Sequence, residues 1–346
     1  TVYKLITESG YELKATADHK IMTTDGWLNL ADLKEGRHKV LIQSGEGKFN
    51  EDKRLSFIVI NNFIGENGKR YKLNLPSEWS KELGEVLGWI VGDGWLRDKD
   101  ENCRLGLTFS KEDKEVLDYL KPILNNWYGY DIKEVERENV VYHLSYHSKY
   151  LVDFFKRLGV EAWQSDSKDV PESIYTAPKD AVIGFLRGLF STDGTVNYIK
   201  DSTSYVRLTA KSLKLLKSVQ LLLLNLGIRS KIYDGKRCSR YGFEYTTKAG
   251  LKKEYYLDGV CYELNISKQA VMRFLEVVGF LGNKHKEKIQ KFYNKKFYRD
   301  IFEEKIISIK PFGKSDVYDL SEPCSNSFIC NGLCISNCGE QPLLPY

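Results

Sequence analysis

The chain has 346 residues, of which 42% are hydrophobic and 29% are charged, as in ordinary globular proteins. This length allows two or three domains, and no apolar run is long enough to predict a membrane-spanning helix. The net charge of +5 is unevenly distributed, because residues 1–43 are neutral, residues 301–346 carry −3 and residues 44–300 carry +8. A polyanion would therefore bind to the central segment.

The cysteines give no sign of a disulfide framework. There are seven, an odd number, and four of them lie between Cys324 and Cys338. Their spacings differ from the paired CxxC pattern of a zinc site, which argues against a structural metal there. The first residues predict a strand and not a signal peptide. We therefore expect a protein of the reducing cytoplasm with no membrane partner.

Short β-strands are predicted at the N-terminal end. Residues 3–7 and 11–15 alternate in hydrophobicity around Ser9-Gly10, which predicts a hairpin, and residues 40–43 predict a further strand. The chain begins in a strand and without Met, so we expect it to start inside a longer protein.

The centre of the chain contains a weak internal repeat. Each copy begins with a glycine-punctuated helix, at residues 83–94 and 181–194, and continues with strands and further helices. In the first copy these are strands 104–110 and 140–146 and helices 112–127 and 149–158. In the second copy they are strands 205–210, 230–233 and 261–266 and helices 212–226 and 268–278. Two αββαββα-like units predict a domain with pseudo-twofold symmetry.

Residues 302–337 return to short strands, with a turn at Asn331-Gly332. The two outer segments are thus β-rich, whereas the centre is basic and mixed α/β. Because the ends of a domain often lie close together, this pattern predicts one β domain interrupted by an inserted domain.

The glycines of the two leading helices have a regular spacing. Gly84, Gly88 and Gly92 line one face of the first helix, and Gly184 and Gly188 do the same in the second. Each glycine costs a helix about 1 kcal/mol, so the repetition predicts close approach of two helix backbones.

Each of these helices ends in an acidic residue followed by glycine, Asp93-Gly94 and Asp193-Gly194. A carboxylate is unfavourable at the negative end of a helix dipole, and two carboxylates brought together repel each other. A divalent cation would relieve both problems, and oxygen ligands suit Mg²⁺. A single copy of this pattern is more simply explained by a buried helix that ends in a simple Asp-Gly turn. Two copies in matching surroundings favour a metal site, in which the metal activates water to attack a phosphodiester.

Residues 87–94 and 185–194 resemble the two motifs of LAGLIDADG homing endonucleases, and the resemblance extends over residues 80–280. It implies an α+β fold in which Asp93 and Asp193 bind the catalytic Mg²⁺ and two saddle-shaped sheets lie in the major groove of double-stranded DNA. By the same resemblance Lys168 helps to position the attacking water. Lys231 is its expected counterpart in the second half.

The two outer segments resemble inteins, which splice themselves out of a host protein. Asn337-Cys338 follows the Asn331-Gly332 turn at the distance found in inteins, and Thr16 to His19 matches their TxxH motif. The resemblance implies an all-β, horseshoe-shaped splicing domain, the fold called HINT, which hedgehog autoprocessing domains share.

The splicing resemblance also implies chemical roles. Cys338 supplies a thiolate that accepts the acyl group, and Asn337 cyclises onto its own backbone carbonyl and cuts the chain. His19 protonates the departing amide at the N-terminal junction, and Thr16 orients that junction. By the same resemblance, Asp319 couples the reactions at the two ends of the intein.

The match to inteins has gaps. The first nucleophile is absent, so a missing N-terminal intein segment is an expected partner. Asn326 and Ser336 stand where inteins usually have histidines, which predicts a slow C-terminal step.

Residues 338–346 resemble the active-site loop of the large subunit of ribonucleotide reductases, in which Cys338 and Glu340 would act after splicing. This resemblance predicts flanking ribonucleotide reductase segments as the host, and the intein-free site in the host gene as the DNA target.

The predicted organisation is multidomain and the expected assembly a monomer. Its parts are 1–45 and 301–337, the splicing domain; 46–79, a linker or DNA-contacting segment; 80–280, the endonuclease; 281–300, a linker; and 338–346, the host fragment. A free-standing or decayed LAGLIDADG DNA-binding protein without splicing activity is the main alternative, and a hedgehog-type autoprocessing module is another.

Overall fold

The computed structural model describes residues 1–65, 68–99, 102–137, 140–200, 202–233, 235, 243–246, 250, 252–255, 260–318, 320 and 322–337. The strands are β1 (Val2–Thr7), β2 (Glu12–Thr16), β3 (Lys20–Thr23), β4 (Gly26–Asn29), β5 (Lys39–Leu41), β6 (Asn62–Ile64), β7 (Arg70–Lys72), β8 (Gly94–Arg97), β9 (Arg104–Phe109), β10 (Val135–Glu136), β11 (Tyr142–His147), β12 (Gly194–Asn197), β13 (Tyr205–Ala210), β14 (Lys231–Tyr233), β15 (Phe243–Thr246), β16 (Lys252–Tyr255), β17 (Tyr262–Ser267), β18 (Glu303–Gly313), β19 (Ser327–Cys330) and β20 (Leu333–Ser336). The helices are α1 (Lys81–Asp93), α2 (Lys114–Tyr128), α3 (Lys149–Arg157), α4 (Lys179–Asp193), α5 (Leu213–Asn225), α6 (Ala270–Val277) and α7 (Lys286–Tyr293). Within this described part, no helix is both long and apolar enough to cross a membrane.

The two ends of the chain form one sheet, which we call the β module. Its strands follow the order β19-β20-β3-β5-β18-β1-β2, and β4 pairs with β3. Strand β18 pairs with β1 from Val2 opposite Gly313 to Thr7 opposite Ile306. The apolar residues on its inner side, Leu5, Leu13 and Ile21 among them, make a core of their own.

The last hairpin of the β module has a two-residue turn. Asn331 and Gly332 both have positive φ, 47° and 86°, between the paired residues Cys330 and Leu333. Two successive positive φ angles define the turn type whose twist suits a hairpin, and Asn-Gly is its preferred sequence. The turn predicted from the sequence is therefore present.

The central part, which we call the α/β domain because it mixes helices and strands, is made of two halves whose antiparallel sheets give it the expected α+β character. The first half, α1 to α3, has the predicted order of elements, α-β-β-α-β-β-α, and the second half, α4 to α6, has the same order with one added hairpin. Each half contains a four-stranded sheet, β10-β11-β9-β8 in the first and β12-β13-β17-β14 in the second. The hairpin β15–β16 lies between β14 and β17 in sequence and distinguishes the second half.

Helices α1 and α4 form the contact between the halves. A Cβ added at Gly88 would lie 2.1 Å from the carbonyl oxygen of Phe185, and one at Gly188 would lie 2.2 Å from that of Glu85. Gly84 makes an equally close approach to the backbone of α4. The glycines are thus required because each helix backbone occupies the space of a side chain on the other, as the spacing predicts.

The core of the α/β domain extends beyond residues 80–280. Leu55, Leu73 and Leu75 on one side, and Phe292 of α7 on the other, are buried in the same core cluster. Segment 281–300 is therefore not a simple linker, and neither is segment 46–79, because both contribute apolar side chains to the domain. Contact of 46–79 with DNA stays a prediction.

A largely polar contact joins the β module to the α/β domain. The Arg229 guanidinium is 2.5 Å from the fully buried carboxylate of Glu304 on β18, and that carboxylate also accepts the Ser9 backbone N–H at 3.0 Å. The Gln220 side chain of α5 donates to the Ser9 carbonyl at 2.8 Å. Leu224 of α5 is the apolar part of the contact, since it is buried in the core of the β module.

Candidate active site and nucleic-acid interface

The glycine contact brings two aspartates to one place. A Cβ added at Gly92 would lie 2.0 Å from the Thr192 hydroxyl oxygen, so the final turns of α1 and α4 touch each other. The next residues are Asp93 and Asp193, which end the two helices. The two predicted catalytic carboxylates therefore lie on either side of the pseudo-twofold axis.

The surroundings disfavour ionisation of both aspartates. Burial and the negative charge of Asp193 raise the pKa of Asp93 to about 7. The close packing of protein around Asp193 raises its pKa as well, although part of its surface remains open to solvent. Two nearby lysines, Lys168 and Lys284, act in the opposite direction on both pKa values. The positive charge that the protein places near each carboxylate is therefore too small to offset the rise in its pKa.

Lys168 lies beside the aspartate pair, as the resemblance implied. Its ammonium donates to the carbonyl of Gly92, next to Asp93. Its own carbonyl accepts the Ser212 hydroxyl at 2.6 Å, and Ser212 caps the N-terminus of α5. The segment that carries Lys168 is thus fixed to a helix end.

Lys284 is the second basic residue of the site, and sequence reasoning missed it. Its ammonium is 3.2 Å from the carboxylate of the buried Asp113 and 3.9 Å from that of Glu112. Asp113 in turn accepts the Ser110 hydroxyl at 2.5 Å. The segment after residue 280 was assigned to a linker, so no local pattern pointed to this lysine.

Lys231 lies elsewhere. It is paired with Asn265 in the second sheet, and its ammonium is 5.6 Å from the Tyr233 ring centre. It is not among the charges that shift the pKa values of Asp93 and Asp193. The structure therefore brings Lys168 and Lys284, but not Lys231, to the aspartates.

Each sheet has one face buried against helices and one open face. In β9 the buried side chains are Leu105, Leu107 and Phe109, so Arg104 and Thr108 belong to the open face. The open faces carry polar atoms that are buried but have no hydrogen-bond partner within the described residues: Arg104 Nε, Asn197 Nδ2, Arg207 Nε and Asn265 Oδ1. Because unpaired buried polar groups are costly, both faces are suited to a polar ligand.

A groove of 710 Å³ runs along the open face of the second sheet. Arg207, Lys231 and Lys268 contribute positive charge to it, and Glu8 of the β module lines one side. Arg207 is already paired with Glu263 at 2.9 Å, so part of this charge is neutralised within the protein.

The aspartate pair suits Mg²⁺ by its chemistry. Among the described residues, no group of three or more His, Cys, Asp or Glu side chains gathers in the manner of an all-protein metal cage. Two carboxylates are nevertheless a sufficient protein contribution for Mg²⁺, which usually keeps water and takes phosphate oxygens as further ligands. Burial and the neighbouring Asp193 charge raise the pKa of Asp93, and a bound cation would offset both effects.

The segments that carry His19 and Asn337 adjoin two neighbouring strands of the β module. Ile335 of β20 pairs antiparallel with Ile21 of β3. In these antiparallel strands His19 precedes Ile21 by two residues and Asn337 follows Ile335 by two, so both flank the same end of this pairing. The backbone N–H of His19 donates to the Thr16 carbonyl at 3.3 Å, which keeps the TxxH segment in a tight turn.

Asn337 is held by two hydrogen bonds. Its side-chain amide donates to the Glu322 carbonyl at 3.0 Å, and its backbone N–H donates to the Asn326 carbonyl at 2.9 Å. Its side-chain oxygen is buried without a hydrogen-bond partner within the described residues. Ser336 pairs with Ser327 in the adjacent strand. Of the other predicted residues, Asp319, Cys338 and Glu340 lie outside the described residues.

Comparison with known families identifies part of the α/β domain. Residues 180–279, which span α4 to α6, match the model of the LAGLIDADG-like domain family. The chain contains a LAGLIDADG-like domain. The match covers the second half of the repeat, including the helix that ends in Asp193, and confirms the resemblance drawn from the glycine helices.

Relatives match along nearly the whole chain. The ribonucleoside-diphosphate reductase NrdEB subunit alpha of Bacillus subtilis is 28% identical over 98% of this chain and 30% of its own length. A DNA polymerase of Thermococcus hydrothermalis is 26% identical over 97% of this chain and 19% of its own length. The chain thus spans less than a third of either protein. A mesophilic variant of the homing endonuclease I-DmoI is similar at 22% identity, covering 57% of this chain and 90% of that one, with a TM-score of 0.39.

Proposed function

We propose that the LAGLIDADG-like domain is a site-specific endonuclease that cuts both strands of duplex DNA with Mg²⁺. The observation that carries the proposal is the aspartate pair at the contact of the two glycine helices. The two open sheet faces, with their unpartnered polar side chains, support duplex DNA as the substrate. One aspartate in each half matches one cut in each strand.

The residues of this site have distinct roles in the proposed reaction. Asp93 and Asp193 would hold Mg²⁺, which when bound supplies positive charge against a phosphate and acidifies water. Lys168 and Lys284 place two further positive charges beside the same carboxylates, where the cleaved phosphodiester would develop negative charge. Lys231 on the open face would contact the DNA and take no part in bond breaking.

Cleavage of a duplex that carries the uninterrupted host-gene site tests this function. The parental chain should cut it with Mg²⁺, and Asp93→Asn or Asp193→Asn should lower the rate by at least about a thousandfold with little change in DNA affinity, because affinity comes mainly from phosphate contacts. Asp166→Asn, an exposed aspartate outside the site, is the matched control. Cutting by Asp93→Asn at the parental rate would refute the metal assignment. A parental chain that binds the site without cutting it would favour the alternative of a decayed DNA-binding protein.

We further propose that the β module is a horseshoe-shaped splicing domain and that residues 1–337 are the larger part of an intein, followed by the host fragment 338–346. Two proteins with unrelated names each contain one segment that matches 97–98% of this chain and only 19–30% of the relative. An element that inserts itself into different hosts and is removed after synthesis explains such a pattern. The reductase relative also supports a ribonucleotide reductase as the host.

The C-terminal step of splicing follows from the position of Asn337. Its side-chain nitrogen attacks its own backbone carbonyl carbon, the bond to the nitrogen of residue 338 breaks, and that nitrogen leaves as an amine. The hydrogen bond to Glu322 restrains the amide, and the pairing of Ile335 with Ile21 places the segments that carry Asn337 and His19 at the ends of neighbouring strands. In the complete reaction His19 and Thr16 would act at the other junction, Cys338 would receive the acyl group, and Asp319 would link the two steps.

Release of the nine-residue peptide Cys338 to Tyr346, followed by mass spectrometry, tests this step. Asn337→Ala should abolish release, because alanine has no nucleophilic amide, whereas Asn294→Ala on an exposed turn should release the peptide at the parental rate. Ser336→His should accelerate release or leave it unchanged. Release from Asn337→Ala at the parental rate would exclude Asn337 from the mechanism.

A further inference from the structure

The open faces of the two sheets differ in charge at one end. In the first half, Arg97 of β8 pairs with Arg104 of β9, and Arg104 pairs with His147 of β11. Corresponding strands of the second half pair Asn197 with Tyr205 and Tyr205 with Ser267. The outer end of the first sheet thus carries a cationic row whose charge comes from Arg97 and Arg104, since burial and Arg104 lower the pKa of His147, and the same row in the second sheet is neutral.

This cationic row is unfavourable in the protein alone. Like charges directly opposite each other on neighbouring strands repel, and Arg97 and Arg104 are such a pair. The Arg104 Nε is also buried without a hydrogen-bond partner within the described residues. Both features would be relieved by an anion lying across the row.

A groove continues from this row around the end of the first sheet. It has a volume of 650 Å³ and lies between the β6–β7 hairpin and the segment that begins with His147. Its walls combine positive and aromatic side chains: Tyr71, Lys72, Tyr128, Tyr130, Lys149 and Tyr150.

The groove is fixed in shape by ring contacts and backbone hydrogen bonds. Phe63 of β6 stacks on Tyr150 with ring centres 3.7 Å apart, which fastens the hairpin to α3. The Tyr128 hydroxyl donates to the carbonyl of His147 at 3.0 Å, and the Asn74 backbone N–H donates to the carbonyl of Trp127 at 2.8 Å. The groove is therefore a preformed surface that extends the first sheet and has no counterpart described in the second half.

We propose that this end of the first sheet and its groove bind the sugar–phosphate backbone of duplex DNA beyond the half-site read by the first sheet, so that the DNA contact is longer on one side. The inference rests on the proposed DNA-binding function. Phosphate oxygens would accept hydrogen bonds from Arg97, Arg104 and Lys72, and the tyrosine rings would pack against sugars. The second sheet, whose row is neutral, ends its contact sooner.

Duplexes that carry the host-gene site and are shortened stepwise from either end test the proposal. Affinity should fall when the duplex is shortened at the end beyond the half-site of the first sheet. It should change much less when the opposite end is shortened by the same length. The double variant Arg97→Gln/Arg104→Gln should remove this difference. This double variant has two phosphate contacts fewer. When salt is raised from 50 to 200 mM, the factor by which its affinity falls should therefore be about tenfold smaller than the factor for the parent.

The matched variant has changes at the corresponding positions of the second half, Asn197→Gln/Tyr205→Phe, and should keep the difference between the two ends. Lys72→Gln should reduce binding of only the longer flank, and unfolding curves check that each variant is folded. Equal effects of shortening from both ends, or a difference that persists in Arg97→Gln/Arg104→Gln, would overturn the inference while leaving DNA cutting intact. A single-stranded flank that binds as tightly as the duplex would overturn the assignment to duplex DNA. If the parent fails to bind even the longest duplex, the proposed function fails as well.

Discussion

The chain contains two internal interfaces that are built on different principles. The two halves of the α/β domain meet through α1 and α4, where Gly88 and Gly188 lie against carbonyl groups of the other helix. The β module meets this domain mainly through side chains, chiefly the buried pair Arg229–Glu304, with a backbone hydrogen bond from the Ile232 N–H to the Ser9 carbonyl beside it. Backbone contact leaves no freedom for substitution, whereas a side-chain contact can be replaced by another pair. The first interface therefore fixes the geometry of the aspartates, and the second only has to hold two domains together.

Removal of Glu304 should give the largest change in stability. In Glu304→Ala the Arg229 guanidinium, whose side chain is only 15% exposed, loses its buried partner. Breaking a buried pair on one side costs about 3–5 kcal/mol, so the unfolding transition of the β module should move to lower denaturant. Glu303→Gln, which disrupts only the exposed pair with Lys39, is the control. Equal shifts in both variants would show that the polar contact is not what holds the modules together.

Gly88→Ala should disturb the other interface. The new methyl group would lie 2.1 Å from the Phe185 carbonyl oxygen, so the two helices would have to separate. Overpacking of this kind costs about 1–3 kcal/mol, and the transition of the α/β domain should shift while that of the β module stays. Glu82→Ala, on the exposed side of α1, should leave both transitions nearly unchanged. A Gly88→Ala variant as stable as the parent would contradict the account of the glycine contact.

Asp93→Asn should make the metal-free protein more stable at high pH. The pKa of Asp93 is about 7 in the folded protein, against about 4 in the unfolded chain. The unfolded chain therefore loses this proton first, and the free energy of unfolding of the parent falls as pH rises from about 4 to about 7. Asparagine does not ionise, so the variant should exceed the parent by on the order of 2 kcal/mol at pH 8, a value reduced for solvent screening.

Denaturant titrations with a chelator at pH 4 and pH 8 measure this difference. The gap between Asp93→Asn and the parent should close at the lower pH. Added Mg²⁺ should stabilise the parent and have little effect on the variant. A gap that is the same at both pH values would mean that the ionisation of Asp93 is not responsible.

Glu12→Gln should have the smallest effect. Glu12 bridges Lys4 at 3.0 Å and Lys217 at 2.7 Å across the surface between the β module and α5. Partly exposed pairs of this kind contribute less than about 1 kcal/mol, and salt weakens them. Unfolding at low and high salt should therefore separate the parent from the variant only at low salt. If Glu12→Gln lowered the free energy of unfolding as much as Glu304→Ala, the main contact between the β module and the α/β domain would be the exposed ion pairs of Glu12.

The sequence was sufficient for features that repeat or have a local period. The order of elements in both halves, the Asn331-Gly332 turn and the pairing of glycine faces could be predicted because each depends on short spacings. The prediction that Lys168 lies near Asp93 also agrees with the structure, in which its ammonium donates to the Gly92 carbonyl.

Features that depend on long-range packing could not be predicted in this way. Lys284 approaches the aspartates only because the segment after α6 folds back toward Asp113, and nothing near it in sequence indicates this. Lys231 was assigned to the active site by analogy with Lys168. Alternate residues of a strand share a face, and Lys231 and Tyr233 alternate with the apolar Ile232. This pattern could have predicted that Lys231 lies on the open face of the sheet.

The pairing of β1 with β18 has a consequence for the order of events during synthesis. Val2 and Gly313 are neighbours in the sheet, although more than 300 residues separate them. Contacts of such high sequence separation form late, and on the ribosome they cannot form until the second strand has emerged. The sheet that positions His19 and Asn337 is therefore completed only after the entire inserted domain has been translated. Under the splicing function proposed above, a chain that stalls or is truncated before β18 lacks the complete sheet, so incomplete synthesis by itself would prevent premature cleavage.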